Sequence, residues 1–81
     1  MSKEYYKKKI IDLRANIAKE KEAKKRDNER YANLIKSAST PTTKAMYRKN
    51  KVSASTSHDT RIEGWKREIE RAQDAMKRLK K

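Results

Sequence analysis

Apolar residues recur at alternating spacings of three and four along two stretches of this chain, and this periodicity constrains the fold more than any other feature. Such spacings put side chains on one face of an α-helix and are typical of coiled coils. The sequence therefore predicts two amphipathic helices, each with a narrow apolar seam. The seam residues are Tyr6, Ile10, Leu13, Ile17, Tyr31 and Leu34 in the first helix and Ile62, Trp65, Ile69, Ala72, Met76 and Leu79 in the second. All of them except Ala72 are also candidates for packing against a partner.

Few residues can interrupt these helices, because the 81 residues include one glycine and one proline. The first helix is predicted over residues 3–37, with Ser2 as its N-cap. The second is predicted over residues 60–81, because Thr60 and Glu63 have the spacing of a capping box. Sheets and glycine-rich phosphate loops require more turn residues than this chain contains.

Residues 38–59, between the two helices, are rich in serine and threonine and are predicted to form a connector. Serine and threonine side chains compete for backbone hydrogen bonds and so favour turns and caps. The tetrapeptide Ser-Ala-Ser-Thr occurs at 37–40 and again at 53–56, which favours two turn or capping segments. The proline at position 41 follows a threonine, a pair that suits the start of a short helix over about residues 41–51.

The predicted fold class is all-α: a long antiparallel two-helix hairpin, coiled-coil-like, with a basic Ser/Thr-rich connector that could hold a short helix. The whole chain, residues 1–81, forms one helical domain. In the first helix the apolar seam is interrupted, because Glu20, Lys24 and Asp27 occupy its middle positions. One helix cannot bury three charged side chains without partners, so this stretch either stays in contact with water or is covered by another molecule.

The chain carries 24 lysine and arginine residues against 11 aspartate and glutamate residues, a net charge of +13. Hydrophobic residues make up 33% of the chain, below the usual ~45–50%, so a thick core is not expected. In the first helix the positions flanking the seam include five cations and no anion: Lys7, Lys9, Arg14, Lys21 and Arg30. Either a hairpin or a homo-oligomer would place like charges opposite one another, so the charge favours an anionic partner.

The first functional prediction is a non-enzymatic protein that binds nucleic acid or a nucleoprotein complex. Its phosphate contacts would be tolerant of sequence and sensitive to salt. The connector mixes cations with one aromatic residue that could stack on a base. The candidate contacts are Lys44, Tyr47, Arg48, Lys49 and Lys51 in the connector and Lys7, Lys9 and Arg14 in the first helix. The alternative prediction is a coiled-coil adaptor or inhibitor that docks its apolar seams on an acidic protein partner.

Enzymatic chemistry is not expected. His58 lies beside Asp59 and near three serines, but a polar connector offers no rigid, water-excluded scaffold for a catalytic triad. The carboxylates alternate with lysine and arginine, which compete with a metal ion as counter-ions, so neither a metal nor another cofactor is predicted. Apolar runs are too short to cross a bilayer, and the narrow seam does not favour a membrane partner. The absence of cysteine is compatible with the cytoplasm, which is the predicted location.

Overall fold

The computed structural model describes residues 2–79, which form two helices, α1 (Lys3–Ser37) and α2 (Pro41–Leu79). The helices pack against each other in opposite directions, since Lys24 of α1 contacts Asp59 and Asn28 contacts Ser55 of α2. The hairpin measures 63 × 14 × 12 Å, and the long dimension matches the ~58 Å expected of a 39-residue helix. The predicted all-α antiparallel hairpin is confirmed.

Helix α1 has the predicted bounds. Ser2 occupies the N-cap with an extended backbone, although its side chain makes no capping hydrogen bond. At the other end, the amide of Ala38 donates to the carbonyl of Ile35 at 3.4 Å. The hydroxyl of Ser37 donates to the carbonyl of Asn33 at 3.1 Å, so side chain and backbone together close the last turn.

The predicted connector over residues 38–59 is wrong, because the two helices are joined by residues 38–40 only. Thr40 caps α2 as expected, since its Oγ1 accepts a hydrogen bond from the amide of Thr43 at 3.2 Å. Pro41 takes the first helical position, where its missing N–H costs nothing. The helix that starts there does not stop near residue 51 but continues to Leu79.

Helix α2 continues through the Ser/Thr-rich segment because that segment carries its own seam. Its seam positions are half-buried or buried against α1, and they are Lys44, Tyr47, Lys51, Ala54 and His58. Helical stability in proteins comes mainly from packing one face against a partner, which here offsets the weak helix propensity of serine and threonine.

The predicted second helix over residues 60–81 therefore starts too late, and the capping box at its start does not form. Thr60 lies inside α2, and its hydroxyl donates to the carbonyl of Thr56 at 2.9 Å, one turn earlier. This back-bonding is the usual solution for a threonine inside a helix. Residues 80 and 81 lie outside the described residues.

The core is thin, as the composition predicts. The buried residues are Ile10, Leu13 and Ile17 of α1 and His58, Ile62 and Ala72 of α2. The accessible surface is 6340 Å², against ~5,100 Å² for a compact protein of this mass. Two helices alone leave much of each apolar face near water, and this leaves surface available for a partner.

Candidate functional site

The charged middle of the α1 seam is occupied by a cluster of three side chains, Glu20, Asp27 and His58. The carboxylates lie two helical turns apart on α1, and the imidazole of His58 inserts between them from α2. Nδ1 of His58 contacts Oε2 of Glu20, and Nε2 lies 2.6 Å from Oδ2 of Asp27. Both ring nitrogens donate to ionised carboxylates only when both carry hydrogen, so the arrangement suits the imidazolium form. We call these three residues the His58 cluster.

The contacts of the His58 cluster shift the pKa of each member toward its charged form. Hydrogen bonds to Asp27 and to Glu20 raise the pKa of His58 above its ordinary value, although burial acts in the opposite direction. The hydrogen bond from His58 lowers the pKa of Glu20 and, likewise, that of Asp27. Arg61 also donates to Glu20, at 3.1 Å. The buried cation is therefore paired on both sides, which is the condition under which a buried charge is tolerated.

Two further polar pairs join α1 and α2 near the His58 cluster. The ammonium of Lys24 lies 2.7 Å from the carboxylate of Asp59, and Ser55 donates to the amide oxygen of Asn28 at 2.9 Å. The sequence left two alternatives for the charged stretch of α1, contact with water or a covering partner. The structure shows that α2 supplies the covering groups itself. His58 faces α1 rather than a serine, so the side chains of a triad are not brought together.

Three shallow depressions follow one another between the two helices on one side of the hairpin and together outline a long groove. We call it the basic groove and define it by the α1 residues that border it at seven-residue intervals: Lys7, Arg14, Lys21, Asn28 and Ile35. A seven-residue interval returns to the same side of a helix, so these depressions lie in one line.

The free end of the basic groove has an apolar floor and a cationic rim. Its volume is about 630 Å³, and none of the described residues that line it carries a carboxylate. Its lining residues are Lys7, Ile10, Ile11 and Arg14 from α1 and Gln73, Met76 and Lys77 from α2.

The end of the basic groove near the connector has a similar character. Apolar and cationic side chains again lie together, and the described lining residues include no acid. They are Lys24, Asn28 and Ile35 from α1 and Arg48, Lys51, Val52, Ser55 and Thr56 from α2.

The middle of the basic groove differs, because acidic residues join the cations there. Asp59 and Glu63 border it together with Lys24 and Lys66. Lys24 pairs with Asp59 at 2.7 Å and Lys66 with Glu63 at 3.6 Å, so the local charge is largely balanced. Unbalanced positive charge is thus concentrated at the two ends.

The structure separates the residues predicted to contact nucleic acid. Lys44, Tyr47 and Lys51 lie in α2 and are half-buried toward α1, whereas Arg48 and Lys49 are exposed. These five residues therefore do not lie in a connector between the helices, as predicted, but within the long helix α2. The other candidates, Lys7, Lys9 and Arg14, are exposed near the start of α1, roughly 27 to 48 Å away along the hairpin axis.

Four of the eleven seam candidates are buried where the two helices pack together. Ile10, Leu13, Ile17 and Ile62 are buried in the interface between α1 and α2, and so are not free to dock on another protein. The remaining candidates are half-buried or exposed at the edges of the interface: Tyr6, Tyr31, Leu34, Trp65, Ile69, Met76 and Leu79.

Three apolar residues of the basic groove, Ile11, Ile35 and Val52, were not among the predicted site residues. Ile11 is 64% exposed and Val52 is 65% exposed, and both lie off the seam. The sequence does contain a signal for Ile11 and Val52. Each is a large aliphatic residue outside the seam, with lysine or arginine three residues away. Such a residue has no packing partner within the hairpin and indicates a surface for another molecule. The His58 cluster was also missed, because His58 was assigned to a connector rather than to a helix.

No helix within residues 2–79 is both long and apolar enough to cross a bilayer. No protein-family model, no curated protein and no solved structure matches this chain.

Proposed function

We propose that this chain is a non-enzymatic adaptor that binds an acidic partner protein in the basic groove. One observation carries the proposal: Ile11 and Val52 are exposed in a groove whose two ends are lined by cations and by no described carboxylate. Burying apolar area stabilises a complex by roughly 25 cal/mol per Å², while the surrounding cations select for an anionic partner.

The chemistry of the His58 cluster supports a non-enzymatic role. A general base needs a ring nitrogen that can reach a substrate, but both nitrogens of His58 are engaged with carboxylates. His58 is also buried in the interface between the helices, away from the basic groove. The proposal places the adaptor in the cytoplasm, with which the absence of cysteine is compatible.

Nucleic acid is the second candidate partner, and a specific observation favours it. Lys7, Arg14 and Lys21 stand in a row on one side of α1, about 10.5 Å apart, on a chain whose net charge is +13. Such a row suits contacts with phosphates that do not depend on sequence. Phosphates make no use of Ile11 or Val52, however, and for this reason an acidic protein is the better match.

The test compares two single changes: Ile11→Ser, which leaves the net charge unchanged, and Lys21→Gln, which removes one positive charge. The full chain is used to capture partners from its native host with and without nuclease, and labelled DNA and RNA are titrated at ~50 mM salt and above. Capture of an acidic protein partner should be unaffected by nuclease and should be reduced at least fivefold by Ile11→Ser. Capture abolished by nuclease, with nucleic-acid affinity that Lys21→Gln weakens and Ile11→Ser leaves unchanged, would instead establish the second candidate.

A further inference from the structure

We infer that the partner presents one long amphipathic α-helix with acidic flanks, which lies along the basic groove and completes a three-helix arrangement. This inference rests on the proposed function and specifies the element of the partner that binds. It follows from the geometry, the charge distribution and the position of the exposed apolar side chains.

The geometry of the groove fits a helix. The α1 residues that border it recur every seven residues, so the groove runs nearly parallel to the helix axes. From Lys7 to Ile35 it extends for about 42 Å, the length of a helix of about 28 residues. The backbone groups that border it are hydrogen-bonded within α1 and α2, so a β-strand has no edge to join.

Two apolar anchor points set the pattern of the partner helix. Ile11 and Met76 lie at the free end, whereas Val52 and Ile35 lie at the other end, about 30 Å away. Amphipathic helices dock through apolar residues at intervals of three and four, so one continuous helix reaches both points. A shorter helix would leave one of the exposed aliphatic side chains uncovered.

The charge distribution excludes a second copy of this chain as the preferred occupant. At the free end, Lys7 pairs with Glu4 at 3.9 Å outside the groove, whereas no acidic residue lies beside Arg14 and Lys77 among the described lining residues. At the other end, Arg48 and Lys51 likewise have no acidic residue beside them among the described lining residues. A copy of α1 or α2 in the groove would bring further cations to both ends, whereas acidic flanks on a foreign helix would pair with them.

The experiment uses three designed 28-residue peptides and the full chain. The first peptide has leucine at the a and d positions of each heptad and glutamate at the flanking e and g positions. The second keeps the leucines but carries lysine on the flanks, and the third keeps the glutamates but has serine in place of leucine. Each is dye-labelled at nanomolar concentration, and binding is measured by fluorescence anisotropy, with circular dichroism of the mixture. We expect the first peptide to bind at least tenfold more tightly than the other two and to gain helix on binding.

Matched variants of the chain locate the site. Ile11→Ser and Val52→Ser remove exposed side chains, so the hairpin should stay folded, and each should weaken binding of the first peptide at least fivefold. Met46→Ser is the control, because Met46 is 51% exposed and lies about 200° around α2 from Arg48, on the other side of the hairpin. It should change the affinity less than twofold.

Several results would overturn the inference, each in a distinct way. Equal binding of the glutamate and lysine peptides would show that charge is not recognised. Tight binding of the serine peptide would show that an acidic partner binds without an amphipathic helix. An effect of Met46→Ser equal to that of Ile11→Ser would show that the acidic partner does not bind in the basic groove. A dimer of the chain that Ile11→Ser dissociates would identify a second copy as the occupant. If Ile11→Ser abolishes capture of the host protein while no helical probe binds, the proposed function stands and this inference fails.

Discussion

His58 is the residue whose environment the fold alters most. The side chain was predicted to lie in a polar connector, but it is only 8% exposed in the hairpin. Its two nitrogens contact Glu20 and Asp27, with Arg61 beside Glu20 and Arg30 3.4 Å from Asp27. Each carboxylate of the His58 cluster therefore contacts one arginine in addition to the imidazole.

The stability contributed by the His58 cluster is expected to depend on pH at both ends of a window. The raised pKa of His58 provides stability that is complete below its unfolded value, about 6.5, and is lost as pH rises through the folded value. The lowered pKa values of Glu20 and Asp27 provide stability above about pH 4.5 that is lost as pH falls through the folded values.

The measurement is urea unfolding of the wild type and of His58→Gln between pH 3 and pH 9, with unfolding monitored by circular dichroism. The difference in unfolding free energy should be largest between about pH 4.5 and about pH 6.5 and smaller on either side. Ser55→Ala serves as the control, because it removes the hydrogen bond to Asn28 without removing a titrating group. A difference for His58→Gln that is constant over the whole range would contradict the assignment.

At the scale of elements, one tetrapeptide adopts two structures. Ser-Ala-Ser-Thr at 37–40 ends α1 and forms the connector, whereas the same tetrapeptide at 53–56 lies inside α2. Pro41 follows the first copy, and a proline restricts the residue before it to extended backbone. The second copy is followed by His58 on the seam, whose contacts with α1 require the helix to continue.

A proline placed in the second copy of the tetrapeptide should destabilise the fold far more than it would if residues 53–56 were a connector. Ser53→Pro removes a backbone hydrogen bond inside α2 and clashes with the preceding turn, so we expect a loss of about 3 kcal/mol or more of unfolding free energy. Ser53→Ala at the same exposed site should instead stabilise the chain by about 0.5 kcal/mol. Thermal and urea unfolding measure both. Tolerance of the proline would mean that residues 53–59 are not helical in solution.

The molecule as a whole is a rod rather than a globule. Its radius of gyration is 18.4 Å, whereas a compact domain of 81 residues would have about 12 Å. This shape follows from two helices of 35 and 39 residues joined by a three-residue connector. The rod exposes the basic groove along its full length, which is what a long partner helix requires.

Small-angle X-ray scattering of the purified chain should give a radius of gyration near 18 Å with the mass of a monomer. Like charges at both ends of the basic groove oppose self-association, so the mass should remain that of a monomer as concentration rises, and the radius of gyration is taken by extrapolation to zero concentration. A doubled mass would instead show that the exposed apolar residues are covered by another copy. A monomer with a value near 12 Å would contradict the hairpin itself.

The sequence by itself determined the class of fold and the bounds of α1, and it indicated a helix start at Pro41 without showing that the long second helix begins there. These depend on local signals: periodic apolar residues, a single proline and a capping threonine act within a few residues of each other. Only the tertiary structure decided that the helix beginning at Pro41 continues through residues 52–59, that Glu20 and Asp27 enclose His58, and that Ile11 and Val52 lie on the same groove. Each of these depends on residues that are distant in sequence and are brought together by the antiparallel register of the hairpin. Local propensity favours turns in the Ser/Thr-rich segment, and packing against α1 reverses that preference.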